Sequence, residues 1–240
     1  RLLGVLARRL RRIERVDEAL VCAQEALAIW KEIAQDSDQY QADLAQGFHN
    51  VGIYLLSMRQ DGESIAVTRQ AIEIRRQLVE QDSARFLPDL AWSLSNFADQ
   101  LRTLHRYEEA LPIIQEAVGI RRKLIQEDPS QRAALASTLM RYGVHLSYNN
   151  QAIEAVVATQ EAIRYWRELA REAPDAHLPD LAASLRNLGV QLSSIWKVES
   201  IEATQESIKI RRRLATSWSH HLLWLAMGLS NLGMQLSKFN

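Results

Sequence analysis

The 240-residue chain holds one cysteine, nine glycines and five prolines, and its 29 basic residues are cancelled by 29 acidic ones. Each shortage removes a class of protein. With Cys22 alone there is no intrachain disulfide, so the framework of a small disulfide-stapled secreted domain is excluded. No uninterrupted apolar run approaches the ~18 residues of a membrane-spanning helix, and no signal peptide is visible at the start. A cytoplasmic location is expected, without a membrane partner. Balanced charge supplies no basic field for phosphate backbones, so nucleic acid is not an expected partner either. One local departure is the cluster Arg1, Arg8, Arg9, Arg11, Arg12 and Arg15. It reads either as a solvated helix face or as a contact for an acidic partner or neighbouring domain.

Chemistry-bearing constellations are also scarce. His49, His105, His145, His177, His220 and His221 show no metal-ligand spacing with carboxylates or with Cys22. His220-His221 falls at a link and is expected to be exposed. No phosphate-binding glycine loop exists, and Cys22 stands among apolar residues without a histidine nearby in sequence. No cofactor, no metal and no catalytic residue is expected, and the chain is not read as an enzyme. The six tryptophans, Trp30, Trp92, Trp166, Trp196, Trp218 and Trp224, read mostly as core or junction fillers.

What the chain does have is a period. The pairs Ala26-Leu27, Ala71-Ile72, Ala117-Val118, Ala162-Ile163 and Ser207-Ile208 recur at steps of 45, 46, 45 and 45. Between them an apolar-then-small pair recurs: Leu6-Ala7, Val51-Gly52, Phe97-Ala98, Tyr142-Gly143, Leu188-Gly189 and Leu232-Gly233. Self-similarity at a fixed period marks a solenoid, in which each unit buries its apolar face against its neighbours. Ile65, Thr68, Ile72, Leu78 and Val79 keep helical spacing, and strand-like alternation is lacking. Pro88 and Pro179 are read as opening helices, in the matching phrases Leu87-Pro88-Asp89-Leu90-Ala91 and Leu178-Pro179-Asp180-Leu181-Ala182.

The fold class read from this is all-α, an α-α superhelix of antiparallel helix pairs. First helices are predicted over 1–13, 40–58, 87–104, 131–148, 178–195 and 220–238. Second helices are predicted over 16–34, 62–80, 107–126, 152–171 and 198–214. One array spans 1–240, with repeats 1–37, 38–83, 84–128, 129–174 and 175–217 and a partial repeat 218–240. The chain begins and stops inside a repeat and lacks an initiator methionine, so a longer parent protein is expected. Gly52, Ala98, Gly143, Gly189 and Gly233 are expected to let each first helix approach its partner. Glycine inside a helix costs ~1 kcal/mol against alanine, so its recurrence at one register implies a steric need.

These markers resemble the tetratricopeptide repeat. The Glu18-Ala19-Leu20 and Glu109-Ala110-Leu111 phrases carry the likeness, as does the nineteen-residue step from Gly52 to Ala71, Ala98 to Ala117 and Gly143 to Ala162. The unit exceeds that family's usual ~34 residues. Arg-rich continuations replace the expected proline: Ile74-Arg75-Arg76, Ile120-Arg121-Arg122 and Ile210-Arg211-Arg212, with Tyr165-Trp166-Arg167 as a variant. The long unit is similar to that of kinesin light chain. It is similar also to arrays that follow NB-ARC-type NTPase modules in signalling proteins, where Leu-Pro-Asp-Leu-Ala-x-Ser-Leu-x-Asn is typical.

The resemblance implies a concave groove at a defined register. Asn50, Asn96, Asn187 and Asn231 stand two residues before the small residue of their helices, and Arg141 takes that place in the middle repeat. An amide offers both a donor and an acceptor to a peptide backbone; the competing reading is that these amides hold neighbouring repeats together. Nearby groove positions are His49, Ile53, Trp92, Asp99, Val144, Tyr148, Arg186 and Val190, a mixture suited to an extended or helical peptide. Arg141 and Arg186 together could receive an acidic side chain, or pair within the array. The Arg-Arg phrases are read as an exposed ion-pair ladder with glutamates such as Glu73, Glu80, Glu116 and Glu127, or alternatively as an anion-binding convex stripe. The leading expectation is a peptide- or protein-binding module of a larger signalling protein. The alternative is a structural array that self-associates through its repeat ends, where Leu225, Leu229 and Leu232 lie, or docks on an upstream NTPase domain.

Overall fold

The computed structural model describes residues 15–193, 195–217 and 221–237. Ten α-helices occupy them: α1 (Val16–Asp36), α2 (Gln41–Ser57), α3 (Asp61–Gln81), α4 (Ser83–Thr103), α5 (Tyr107–Glu127), α6 (Arg132–Tyr148), α7 (Ala152–Glu172), α8 (Pro174–Leu192), α9 (Lys197–Ser217) and α10 (His221–Ser237). Short 3-10 turns, Asp38–Tyr40 and Pro129–Gln131, precede α2 and α6. The all-α class and the pairing of consecutive helices are as expected. The helix predicted over 1–13 and most of its arginine cluster lie outside the described residues.

Two helices start earlier than their prolines predict. Asp82 caps α4, its Oδ1 accepting the Arg85 N–H at 3.1 Å, and Pro174 begins α8. Pro88 and Pro179 therefore sit inside the helix. Each forfeits one bond, to the carbonyl of Ala84 or Asp175, and both of those residues are exposed to water.

The chain forms two compact units, residues 1–120 and 121–240, and α5 passes from one to the other. In the first unit, Leu44, Phe48, Val51, Tyr54 and Leu55 of α2 fill the space beside Ala19, Ala23 and Leu27 of α1 and Ala71 of α3. In the second, Leu135, Leu139 and Leu146 of α6, Val156, Ile163 and Trp166 of α7, and Leu181, Leu185 and Leu192 of α8 are buried. Each such side chain contributes roughly 1.5–3 kcal/mol.

Glycine at the shared register meets the predicted need. A Cβ added at Gly52, Gly143 or Gly189 would lie 2.4, 2.3 or 2.3 Å from the hydroxyl oxygen of Thr68, Thr159 or Thr204 on the following helix. Backbone carbonyls of that helix stand at 3.4, 3.0 and 3.1 Å behind them. The absent side chain also opens the glycine carbonyl to partners. Ser64 Oγ donates to Gly52 O at 2.6 Å and Ser200 Oγ to Gly189 O at 2.8 Å. Gln235, from the next first helix, reaches Gly189 O at 3.2 Å. Gly233 departs from the expectation, since no described atom stands within 4 Å of its would-be Cβ; in α10 the close approach is at Gly228, 3.1 Å from Ile208.

The Arg-Arg phrases divide into two roles. The second arginine behaves as the ladder reading expects: Arg76–Glu116, Arg122–Glu161 and Arg167–Glu206 pair at 2.8, 2.7 and 2.7 Å. Such exposed pairs are worth under ~1 kcal/mol each. The first arginine does not: Arg75, Arg121 and Arg211 are buried, as is Trp166 at the same register. Helical geometry explains the split. Arg75 lies three residues from both Ile72 and Leu78, on the core stripe, whereas Arg76 is rotated about 100° away.

Gly143→Ala is expected to destabilise the chain by about 1–3 kcal/mol in denaturant unfolding. Adding Thr159→Ala should recover only part of that loss, because the Ala155 carbonyl, 3.0 Å from the new Cβ, remains.

Candidate functional site

In the first unit the groove register is filled from within. His49 of α2 is 2% exposed and its ring centre lies 4.4 Å from that of Trp92 on α4. This corrects its expected place on an open groove: the indole covers it. Arg75 completes the cluster, donating to Gln46 Oε1 at 2.9 Å and to Ser93 Oγ, with its guanidinium 5.6 Å from the Trp92 ring centre. Gln46 Nε2 in turn donates to Asn50 Oδ1 at 2.9 Å. Asn50, Ile53 and Asn96 are half-buried, and Asp99 pairs with Arg102 at 3.6 Å. Of the predicted positions here, Trp92 presents the largest apolar face, 40% exposed.

In the second unit the same register is open. Val144 and Tyr148 of α6, Arg186, Asn187 and Val190 of α8, and Asn231 of α10 line one concavity of about 410 Å³. Six residues singled out from the sequence thus share one wall-to-wall space. Tyr148 and Val190 are 48% and 55% exposed. Asn187 Oδ1 accepts from Arg186 Nη2 at 3.1 Å, and its amide N–H group donates to no described residue. Arg141 does not line this space. It is half-buried and engaged elsewhere. The arginine that accompanies Arg186 is Arg211: both guanidiniums lie 5.4 Å from the ring centre of Trp224.

The comparisons with known proteins agree with this fold. The tetratricopeptide repeat family model matches residues 1–39 and 90–130. Among solved structures, BtubC (BKLC) from P. vanneervenii superposes with a TM-score of 0.71 at 16% identity, over 92% of this chain and 83% of its own. A putative kinesin light chain from Podosopora anserina with nearly identical TPR-like repeats gives 0.69 at 18% identity, over 88% and 94%. The chain has the fold of a tetratricopeptide-repeat array. Aspartyl phosphate phosphatase F from Bacillus subtilis, at 0.64 and 19% identity, shares the fold over 85% of this chain and 50% of its own. No curated protein matches the sequence. Tetratricopeptide-repeat arrays are generally non-catalytic protein-interaction modules that use extended concave surfaces. No described helix of this array is long and apolar enough to cross a membrane.

Several residues escaped sequence reasoning. Ser147 and Gln191 complete the lining of the concavity. Spacing was a usable signal for both, since Ser147 stands three residues after Val144 and Gln191 four after Asn187. His221 is buried, contrary to the exposed link expected of it. Of the tryptophans with described side chains, Trp166 is a core filler and Trp30 is half-buried against the core of the first unit, while Trp92, Trp196 and Trp224 are exposed. Burial of Arg211 was foreshadowed by Trp166 at its register, a residue type that belongs inside.

Burial, and secondarily the Arg75 guanidinium, push the His49 ring down to about 3. The folded array therefore resists a proton that the unfolded chain takes up near the ordinary value of ~6.5. Stability from this source is complete above pH ~6.5 and is lost as pH falls toward 3, at up to ~1.4 kcal/mol per unit. In urea unfolding, His49→Phe is expected to keep the ring contact with Trp92 and to flatten the loss between pH 6.5 and 5, compared with the wild-type array.

Proposed function

We propose that the second unit of this array holds a peptide or protein segment across the face formed by α6, α8 and α10, and performs no catalysis. The observation that carries the reading is the shared concavity. It joins apolar walls, Val144, Tyr148 and Val190, to the amides of Asn187 and Asn231 and the guanidinium of Arg186. Exposed apolar side chains next to unused amide groups suit a chain that offers both side-chain anchors and backbone hydrogen bonds. On this reading the array is the sensor or scaffold part of a larger cytoplasmic signalling protein. The first unit is not read as a binding face, because its own register is occupied by the tilted His49–Trp92 ring pair.

Tyr148→Ala combined with Val190→Asp should weaken each captured partner at least ~10-fold in calorimetric titration, a loss of ~1.4 kcal/mol. Val157→Asp, on an exposed face of α7 outside the concavity, should leave affinity unchanged. Equal affinity of the double variant and the wild type for every partner would sink the groove reading.

A second reading has its own observation. Leu222, Leu223, Met227 and Leu229 of α10 are exposed, an apolar patch fitted to self-association or to docking on another domain of the same protein. Light scattering across a concentration series decides whether copies associate: a mass that rises with concentration and returns to the monomer value in Leu223→Glu supports it, and a constant monomer removes self-association.

A further inference from the structure

The outer side of the second unit carries a groove of its own. Leu185, Leu188 and Leu192 of α8 form its floor and the helices α7 and α9 its two walls, around a space of about 520 Å³. These leucines lie on the opposite side of α8 from Arg186, Asn187 and Val190, because each residue turns the helix by about 100°. α8 therefore stands between two separate cavities.

The walls of the outer groove differ in sign. Arg164, Arg167 and Arg171 line it from α7, and Glu199, Glu202 and Glu206 line it from α9, each set at i, i+3 and i+7 on one helix face. Glu168 reduces the charge of the α7 wall without changing its sign. The matching positions of α3 and α5 are filled differently. Glu73 and Glu80 stand where α7 has Arg164 and Arg171, and Pro112 stands where α9 has Glu202. Arg69 and Glu109, seven residues before the ladder pair Arg76–Glu116, add a second rung at 3.7 Å. In α7 the residue at the Arg69 position is Gln160, so Glu199 has no arginine level with it. Arg167 and Glu206 do pair across the outer groove, at 2.7 Å. Among the described residues Arg171, Glu199 and Glu202 take part in no hydrogen bond or ion pair, and Arg164 rests on the Tyr165 ring, 4.7 Å from its centre.

This arrangement selects its ligand by charge pattern. A ligand of one sign is drawn to one wall and repelled by the other. A neutral apolar ligand strips water from both walls and returns nothing to them. A helix with an apolar ridge between two oppositely charged flanks matches all three surfaces: its ridge meets the α8 leucines, its acidic flank α7 and its basic flank α9. Flank residues at i, i+3 and i+7 repeat the spacing of the walls.

We propose that the outer groove between α7 and α9 docks a helix of a partner protein whose apolar ridge is bordered by one acidic and one basic flank. The site is independent of what the concave face holds.

The test uses alanine-based peptides of about 20 residues, long enough to be helical alone. Each carries a leucine ridge and one of three flank patterns: glutamate on one side and lysine on the other, glutamate on both, or lysine on both. Because a helix can lie in either direction, one mixed pattern suffices. Fluorescence anisotropy is expected to show the mixed peptide binding at least ~10-fold more tightly than either single-sign peptide, with an affinity that falls as salt rises. Arg164→Glu with Arg171→Glu, both at exposed positions, reverses the α7 wall. This variant should bind the mixed peptide ~10-fold more weakly and the lysine peptide more tightly than the wild type does, with circular dichroism unchanged. If it misfolds, the milder Arg164→Gln with Glu202→Gln should still weaken the mixed peptide and flatten its salt dependence. The proposal is overturned if the mixed peptide binds no better than the single-sign ones, or if a folded wall variant keeps the wild-type preference. It is overturned also if Tyr148→Ala with Val190→Asp weakens the mixed peptide, since that result places the peptide in the concave groove.

Discussion

The missing Cβ at Gly52, Gly143 and Gly189 is the constraint on which the rest of the array depends. A threonine hydroxyl occupies the place where that carbon would lie, and the backbone of the following helix stands directly behind it. Close approach makes the glycine carbonyl reachable as well, so serine and glutamine side chains from two different helices converge on Gly189 O. One helix-weakening residue, costing ~1 kcal/mol in propensity, thereby sets the spacing of the hairpin and, through it, the register of α2, α6 and α8. That register determines which side chains meet on the concave face.

Magnitudes separate what holds the repeats from what decorates them. The ladder Arg76–Glu116, Arg122–Glu161 and Arg167–Glu206 is the most regular ionic feature of the outer helices, yet exposed pairs of this kind contribute under ~1 kcal/mol each. A single buried leucine such as Leu139 or Leu185 contributes about twice that or more. The ladder therefore aligns neighbouring second helices, while the apolar stripe holds them. Arginine at the core register is the exception, because it brings a charge into the stripe and obliges the surroundings to answer it. In the α3–α4 pair Gln46, Ser93 and Asp89 answer Arg75. In the α9–α10 pair the Arg211 Nε–H has no acceptor among the described residues, and the Trp224 ring lies beside the guanidinium.

Much of the fold was legible in the sequence because a solenoid repeats its solution. The 45-residue step located the helices to within a few residues, and the one-residue deletion between Gly189 and Ser207 falls in a turn of different hydrogen bonding. Ile195 and Trp196 N–H both bond Leu192 O there, while the other hairpins close with a residue at positive φ such as Arg59, His105 or Asn150. The period fails where it gives a direction but not a neighbour. His49 stands at a groove register, and nothing in α2 reveals that an indole from α4 will cover it. Arg75 and Arg76 look alike as letters, and only their angular position around the helix, anchored by Trp166 in the divergent repeat, tells interior from exterior. Proline misled for a different reason: it tolerates the second helical turn when the carbonyl it strands faces water.

Divergence at equivalent registers therefore carries the functional information. Six residues before the small residue, α4 has Trp92 and α8 has Ala183; three residues before it, α2 has His49 and α6 has Met140. The first combination is a tilted pair of rings in contact that fills the face of the first unit. The second has no ring to stack, and a concavity lies along the same helices in the second unit, rimmed by Tyr148 and Val190. The helical frame is common to both units. What distinguishes them is which side chains the frame's fixed positions carry, and a large-to-small exchange on the inner row, Trp92 in α4 against Ala183 in α8, accompanies the change from a filled face to an open concavity.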